Sequence, residues 1–428
     1  MTKLGYMCDD IGEIPEGWRT EKLKEIATVR GGKRTPIGEG VTNIKSGYPF
    51  VRVTDFRNGT VDEKAVKYIS LDTYRKLKSY AISSNDVYVS IAGTIGLSGI
   101  VPKSLDGAIL TENAAKLSDL KRITKEFLSF FLNSDYGQAQ ISSMTAKTSQ
   151  PKLALSRLRE IIIPLPRIAE QQKIAEILTT ADRKIELIGK EIQATEKLKK
   201  GLMKTLLTRG IGHTKFKMTE IGEIPEEWEI KRIEQICEAP QYGYTEGASS
   251  NPIGPKFLRI TDIQEGTVNW DSVPFCKCPE DMINKYKLKK ADILFARTGA
   301  TTGKCFIVDE APLSIFASYL IRIRAKEIAH PVFLYMYLNS EQYWRQIKQR
   351  IVGSAQGGVN ASLLSKILVS IPPLSEQQKI AGILSTVDKK LETLHYKKSK
   401  SELLKKGLMQ VLLTGQVRVN TDPAQGDN

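Results

Sequence analysis

The sequence contains few of the residues that metal centres and disulfide frameworks require. Among its 428 residues are five cysteines, odd in number and scattered, and three histidines. Cys276 and Cys278 form the one close pair, and no second pair at metal-ligand spacing accompanies them. A closed zinc site needs four ligands. The cysteine usage therefore predicts free thiols in a reducing compartment and no structural metal.

Long apolar runs are also missing. No run approaches the ~20 apolar residues of a membrane span. The first ten residues, MTKLGYMCDD, lack the apolar core of a signal peptide. We therefore expect a cytoplasmic protein with no membrane partner.

Catalytic motifs are equally scarce. Residues 299–305, GATTGKC, resemble a phosphate-binding loop, but three residues separate the glycines instead of four. Cys305 also stands where a Ser or Thr would hold magnesium. The chain has no Asn-Pro-Pro-aromatic methylation motif, no dinucleotide-binding turn and no plausible Ser–His–Asp set. The sequence predicts a chain without catalytic residues or a cofactor of its own.

Negative charge is in deficit. The chain has 63 Lys and Arg residues against 48 Asp and Glu residues, a formal net charge of +15. A basic protein of this size has a natural partner in nucleic acid, because binding neutralises phosphates and releases counterions. A solvated surface that is merely basic is the alternative.

The feature that is present in abundance is internal repetition. Residues 11–18, IGEIPEGW, return as residues 221–228, IGEIPEEW, and residues 50–55, FVRVTD, return as residues 257–262, FLRITD. The motif EQQKIA begins at positions 170 and 376, an offset of 206 residues, and LKKGLM, which begins at positions 198 and 404, keeps the same offset. Earlier in the repeat the offset drifts, as loops tolerate and packed helices do not. The chain is therefore a duplication of about 200 residues.

Each copy ends in a segment with a helical apolar stripe. Apolar residues recur at alternating steps of four and three, the seam of two helices that wrap together. The stripes consist of Ile174, Leu178, Ala181, Ile185, Ile188 and Ile192 in the first copy and of Ile380, Leu384, Val387, Leu391 and Leu394 in the second. Helices of ~35–40 residues would be ~55–60 Å long. They either pack on each other or dock separately, each on its own domain.

These patterns predict an α+β protein. Alternating segments broken by glycines indicate strands and turns in the first part of each copy, with short helices between them. We expect two mixed α/β domains separated by two long antiparallel helices that form a coiled coil, with internal pseudo-twofold symmetry. The predicted bounds are 1–165 and 213–371 for the mixed domains and 166–212 and 372–428 for the helical segments, the last with a C-terminal tail.

The ordered set of motifs resembles a known family. Gly-x-Ile-Pro-x-x-Trp, Glu-Gln-Gln-Lys-Ile-Ala, the segment 292–304 (DILFARTGATTGK) and the ending 412–419 (LLTGQVRV) are together similar to specificity subunits of Type I restriction–modification enzymes. The resemblance covers essentially the whole chain, both copies in order. No single motif decides it.

The resemblance implies a function that composition does not show. The two mixed domains would be target recognition domains, each reading one half of a bipartite site in double-stranded DNA. The helices would set the spacer between the halves and dock two methyltransferase subunits, and restriction/translocase subunits would complete the complex. S-adenosylmethionine, ATP and magnesium would belong to those partners. The stripe residues, Ile174, Leu178, Ala181, Ile185, Ile188, Ile380, Leu384, Val387, Leu391 and Leu394, are the predicted subunit interface.

The duplication also separates candidate DNA contacts into two kinds. Features common to both copies suit folding or phosphate contact, and features that differ suit base contact. Arg52 and Arg259, equivalent in the two copies, either position phosphates or pair with Asp55 and Asp262. Loops where the copies diverge carry side chains that match base edges. The predicted DNA-binding residues are Arg30, Lys33, Arg34, Arg52, Thr54, Arg57, Thr94, Lys147, Gln150, Gln241, Tyr242, Tyr244, Arg259, Thr261, Arg297, Thr298, Thr301, Lys304 and Gln356.

Two other classes of function compete with this prediction. A DNA methyltransferase or nuclease with its own recognition domains needs a catalytic region of some 200 residues outside the duplication, which consumes the chain. A coiled-coil adaptor without DNA specificity predicts short inert ends rather than two large mixed domains. The specificity subunit is the hypothesis that the sequence favours.

Overall fold

The computed structural model describes residues 6–9, 12–145, 149, 151–264, 266–352 and 358–420. Three predicted DNA contacts, Lys147, Gln150 and Gln356, lie outside the described residues. The described residues form short strands and helices in alternation and two very long helices, as the sequence predicts.

The first copy is a mixed domain followed by a long helix. Its strands are β1 Tyr6–Asp9, β2 Gly12–Pro15, β3 Arg19–Lys22, β4 Thr28–Gly31, β5 Pro49–Val51, β6 Phe56–Arg57, β7 Thr60–Val61, β8 Lys67–Tyr68, β9 Ala81–Ile82, β10 Val87–Ser90, β11 Ser98–Ile100, β12 Ala108–Leu110, β13 Ala114–Ser118 and β14 Ile162–Leu165. Its helices are α1 Leu23–Ile26, α2 Leu71–Leu77, α3 Lys125–Asn133, α4 Asp135–Met144, α5 Leu155–Leu158 and the long α6 Ile168–Arg209.

The second copy repeats this order with fewer strands among the described residues. Its strands are β15 Phe216–Thr219, β16 Gly222–Pro225, β17 Glu229–Arg232, β18 Gln241–Tyr242, β19 Lys256–Leu258, β20 Ile263–Gln264, β21 Thr267–Val268, β22 Ile293–Ala296, β23 Cys305–Ile307, β24 Ser314–Phe316, β25 Leu320–Ile323 and β26 Leu368–Ile371. Its helices are α7 Ile233–Ile236, α8 Glu280–Tyr286, α9 Pro331–Tyr337, α10 Glu341–Val352, α11 Ala361–Ser365 and the long α12 Leu374–Leu412.

Two helices are much longer than the others among the described residues. Helix α6 has 42 residues and α12 has 39, so each is about 60 Å long. Within the described part of the chain, no helix is both long enough and apolar enough to cross a membrane.

The chain folds into two compact units. The first unit comprises Met1–Gly189 and Tyr396–Asn428, and the second comprises Lys190–His395. Each unit therefore holds one mixed domain, the start of one long helix and the end of the other. The sequence-based bounds, which treat each helix as a separate segment, remain a prediction about the chain's domains.

The two units share one sheet topology. In the first, the strand order β11-β10-β13-β4 forms an antiparallel sheet, and β5 pairs with β12 in parallel. In the second, β23-β22-β25-β18 and the parallel pair β19–β24 repeat this arrangement. The central strands β10 and β22 are buried at every residue. This explains why their sequences, VYVS and ILFA, are nearly continuous apolar runs without alternation.

The long helices run antiparallel within each unit. In the first unit Lys405 of α12 pairs with Asp182 of α6 at 2.6 Å, which joins the end of one helix to the start of the other. In the second unit Lys199 pairs with Asp388, also at 2.6 Å. Both partners of the second pair differ from those of the first by the 206-residue offset, so the same contact is built twice.

The apolar stripe packs both on the domain of its own copy and on the other long helix, the two alternatives that the sequence left open. Ile174 and Leu178 join the core of the first domain, where Leu412 and Leu413 from the end of the other helix pack with them. Equivalent residues do the same in the second unit. Towards the helix centres the stripe is half-buried at Ala181, Ile185, Ile188, Val387 and Leu391 and buried again at Ile192 and Leu394.

A buried glutamine fastens each long helix to its domain. Gln171 is fully buried; its Oε1 accepts from Thr124 N at 2.8 Å, and its Nε2 donates to the carbonyls of Arg122 and Pro166, each at 2.9 Å. Gln377 makes the equivalent three bonds in the second unit, to His330 N and to the carbonyls of Ile328 and Pro372. Three backbone groups per unit therefore depend on one side chain.

In each unit a tryptophan also donates a hydrogen bond to a glutamate of the long helix. Trp18 Nε1 donates to Glu170 at 3.1 Å, and Arg418, near the end of the described chain, donates to the same carboxylate at 2.6 Å. In the second unit Trp228 donates to Glu376, which His213 contacts at 2.9 Å. The segment after α12 thus takes the place in the first unit that the segment after α6 takes in the second.

We predict that replacing Gln171 by Ala lowers the free energy of unfolding by about 2–4 kcal/mol, because buried backbone groups lose their partners. Urea denaturation of the full-length protein measures this. The neighbouring Gln172 is exposed, so Gln172→Ala is the matched control and should change the value by less than ~0.5 kcal/mol. Equal effects of the two substitutions would contradict the assignment.

Candidate nucleic-acid interface

The β-sheet register identifies equivalent positions on the face where the two copies diverge. Gln241 of β18 lies opposite Arg322 of β25, and Arg30 of β4 lies opposite Lys116 of β13. Positions 322 and 116 differ by 206, so Gln241 corresponds to Arg30. The next three residues are then Tyr242, Gly243 and Tyr244 in the second unit and Gly31, Gly32 and Lys33 in the first.

The glycine within these triplets confirms the correspondence. A Cβ atom on Gly32 would lie 2.1 Å from the carbonyl oxygen of Thr111, and one on Gly243 would lie 2.2 Å from that of Ala317. Thr111 and Ala317 are themselves 206 residues apart. Both backbones approach a neighbouring strand too closely for any side chain. The residues on either side are free to differ, and they do.

In the second unit the predicted residues converge on an aromatic face. Tyr244, Arg259 and Thr261 line a recess of about 580 Å³ together with Tyr319. The backbone nitrogen of Arg297 donates to the carbonyl of Tyr319 at 3.0 Å. Four residues that the sequence singled out separately therefore meet around one tyrosine.

Tyr242 and Arg297 meet beside this recess. The Arg297 guanidinium carbon lies 5.1 Å from the centre of the Tyr242 ring, a distance at which the cation is attracted to the ring face. Arg297 is exposed, and Tyr242 keeps 39% of its surface exposed. The two side chains therefore contact each other and are open to solvent.

In the first unit the corresponding face is cationic. Arg30, Lys33 and Arg34 are exposed. Arg34 forms an ion pair with Glu112 at 2.8 Å, and Lys33 lies 5.9 Å from the Tyr80 ring centre. The two units therefore present different chemistry from the same scaffold position, as expected of domains that bind different sequences.

Gln241 is less available than the sequence suggested. Its Oε1 accepts a hydrogen bond from the guanidinium of Arg322, and its Nε2 donates to the carbonyl of Lys285 at 3.4 Å. Arg322 is buried and lies 3.5 Å from the buried carboxylate of Asp292. The amide of Gln241 is therefore bonded within its own domain, and its contact with DNA stays a prediction.

The equivalent arginines Arg52 and Arg259 form the intradomain ion pairs that the sequence offered as one alternative. Arg52 Nη2 lies 2.7 Å from Asp55, whose side chain is fully buried, and Arg259 Nη2 lies 2.8 Å from Asp262. The carboxylate also accepts from the backbone nitrogen of its arginine in each case, at 2.9 Å. Hydrogen bonding to Asp262 raises the pKa of Arg259. A contact of these arginines with phosphate stays a prediction.

The remaining candidates are mostly at the surface. Arg57 is exposed and lines a different recess, of about 600 Å³, beside α6 and the end of α12 in the first unit. Thr54 and Thr261, in the repeated motif, and Thr94, Thr298 and Lys304, in the divergent loops, are exposed, and Thr301 is half-buried.

Two residues of this face were missed in the sequence. Tyr319, 62% exposed, lies between β24 and β25, and Arg322 holds Gln241 from beneath. The signal for Tyr319 was available, since the 206 offset sets it against Asn113, a large change of side chain between two otherwise similar copies. Arg322 could not be found this way because its partner is 81 residues away.

Metal and thiol chemistry has no support among the residues that the structure describes. No group of three or more His, Cys, Asp or Glu side chains is placed to hold a metal ion within those ranges. Burial raises the pKa of Cys276 and of Cys305 to about 12. These thiols therefore stay protonated at neutral pH and behave as small core residues.

Comparison with known proteins agrees with the duplicated architecture. Residues 15–197 and 225–403 each match the family described as Type I restriction modification DNA specificity domain. The MjaVIII Type I restriction enzyme specificity subunit of Methanocaldococcus jannaschii is 29% identical over 416 residues, which cover 95% of this chain and 94% of that one. The EcoKI specificity subunit of Escherichia coli is 22% identical and covers 86% of this chain and 82% of that one.

Solved structures share the fold. The S subunit of a Type I restriction–modification system from M. genitalium superimposes with a TM-score of 0.58 at 15% identity, covering 92% of this chain and 96% of that one. A chain from a study of assembly and conformational transition of the type I R-M system gives a TM-score of 0.57 at 17% identity, covering 94% and 99%.

Two mixed domains on a shared helical scaffold, with faces that differ at equivalent positions, define a duplicated specificity protein. The chain belongs to the Type I restriction–modification DNA specificity family. The two relatives described above are named as specificity subunits, which are not the catalytic subunits of these enzymes. The family and fold predicted from the sequence are therefore confirmed.

We predict that Arg52→Ala lowers the free energy of unfolding by about 1–3 kcal/mol, because it leaves the buried Asp55 carboxylate without its cation. Urea denaturation measures the change. Arg75 and Asp72 supply the matched control, a pair with the same three-residue spacing at 3.8 Å whose side chains are 70% and 82% exposed. Arg75→Ala should have no measurable effect; an equally small effect of Arg52→Ala would show that its ion pair is not structural.

Proposed function

We propose that this chain is the DNA sequence-specificity subunit of a Type I restriction–modification complex, in which each mixed domain reads one half of a bipartite site. One observation carries the proposal. The contacts that hold each domain to the helices are repeated almost atom for atom, at Gln171 and Gln377, whereas the faces around Arg30 and Gln241 differ. One scaffold carrying two different faces suits the reading of two different sequences.

The partners follow from the family. The relatives are specificity subunits of Type I restriction enzymes, so we propose that this chain binds double-stranded DNA and assembles with two methyltransferase subunits and with restriction/translocase subunits. The net charge of +15 supports the contact with DNA. Such a complex would act in the cytoplasm, and its cofactors would belong to the other subunits.

The proposal predicts a split recognition motif. Selection from a random duplex library with the full-length chain and its cognate methyltransferase subunits should recover two short sequences separated by unspecified positions. Recovery of one continuous motif, or of none, would contradict the proposal. In a parallel assay the chain alone should transfer no methyl group to DNA from a labelled donor, and transfer without a partner would point to an enzyme instead.

We further propose that the long helices set the spacer between the two half-sites. Inserting four residues after Ile185, on the half-buried stripe of α6, adds about 6 Å of helix. The preferred spacer length should change while both half-site sequences stay the same, as measured by the same selection. The control is a four-residue insertion after Gly40, an exposed loop position with open space around it, which should leave the spacer unaltered.

A further inference from the structure

The exposed pair of Tyr242 and Arg297 has no counterpart in the first unit. Arg297 donates its backbone N–H to Tyr319 and accepts from Val359 N at 3.0 Å, and Ile91 makes the same two bonds to Asn113 and Leu153. Arg297 therefore corresponds to Ile91, which is 3% exposed in the first core. Tyr242 in turn corresponds to Gly31 by register.

The guanidinium of Arg297 is free to meet a ligand. Arg52, Arg259, Arg322 and Arg324 each lie within 4.0 Å of an aspartate. For Arg297 no carboxylate lies within 4.0 Å among the described residues, and its guanidinium lies against the Tyr242 ring. A ring contact leaves the N–H groups at the edge of the planar guanidinium unsatisfied.

The position of this side chain is also fixed. Arg297 follows the fully buried strand β22, and its backbone is bonded on both sides. Tyr242 is held in turn, because its hydroxyl accepts from Ala361 N at 3.1 Å. Positioning of this kind lowers the conformational entropy lost when the arginine binds a partner.

We propose that Arg297, held against Tyr242, reads a guanine in the half-site of the second unit. The inference rests on the proposed function and adds to it a specific base and a specific residue. A guanidinium fork matches the N7 and O6 acceptors of guanine in the major groove and donates to both. A phosphate can also accept both N–H groups of an arginine, but phosphates occur at every position of a duplex, so a phosphate contact would carry no sequence preference.

Arg297→Lys separates these two roles. Lysine keeps the charge but loses the planar fork. In the duplex selection, discrimination for guanine at one position of one half-site should fall roughly tenfold to a hundredfold. The other half-site should not change. Tyr242→Leu should relax the same position, since it removes the ring that orients the guanidinium, whereas Tyr242→Phe should retain most of the discrimination.

The matched control is Arg232→Lys, an exposed arginine of the same unit that lies 3.6 Å from Glu234; it should leave both half-sites unchanged. A uniform loss of affinity for all sequences in Arg297→Lys would assign a phosphate contact and overturn the inference, as would an unaltered motif. Relaxation at an A·T pair would overturn it as well. Failure of the wild-type protein to select a split motif would instead refute the proposed function, so the two failures are distinguishable.

Discussion

One buried glutamine at the start of each long helix fixes the domain against the helices. Its amide satisfies three backbone groups, two in the segment that leads into the short helix α3 or α9 and one just before the long helix itself. Buried backbone groups without partners are costly, so this arrangement tolerates little change. Strands β4 and β18 of the divergent face pair with β13 and β25. Residues of β13 and β25 belong to the same cores that the start of each long helix joins.

Positions that are the same in the two units hold the scaffold, and positions that differ lie on the exposed face. Contacts that hold the scaffold, such as Trp18–Glu170 and Trp228–Glu376, are the same in both units. Gly32 and Gly243 both lie too close to a neighbouring strand for a side chain, but the residues beside them differ between the units. The first unit presents Lys33 and Arg34, and the second presents Tyr242 and Tyr244. Specificity can therefore change without disturbing the core.

Sequence reasoning succeeded where the signal is local or repeated. The helical stripe through Ile174 and Leu178 follows from the helical period, and the duplication is visible in the motifs themselves. It was less informative about the face, because the environment of Gln241 depends on Arg322, which reaches it only through strand pairing. It also left the role of Arg52 open, since an arginine three residues before an aspartate can face either solvent or its neighbour.

The sequence alone determined the duplication, the mixed domains, the long helices and the family, since periodicity and repetition survive in a linear string. The tertiary structure decided which candidates meet. It places Arg297 against Tyr242, pairs Arg52 and Arg259 with Asp55 and Asp262 and bonds Gln241 inside its own domain. Each of these outcomes depends on strands or loops brought together by packing, and that proximity is a property of the fold rather than of spacing along the chain.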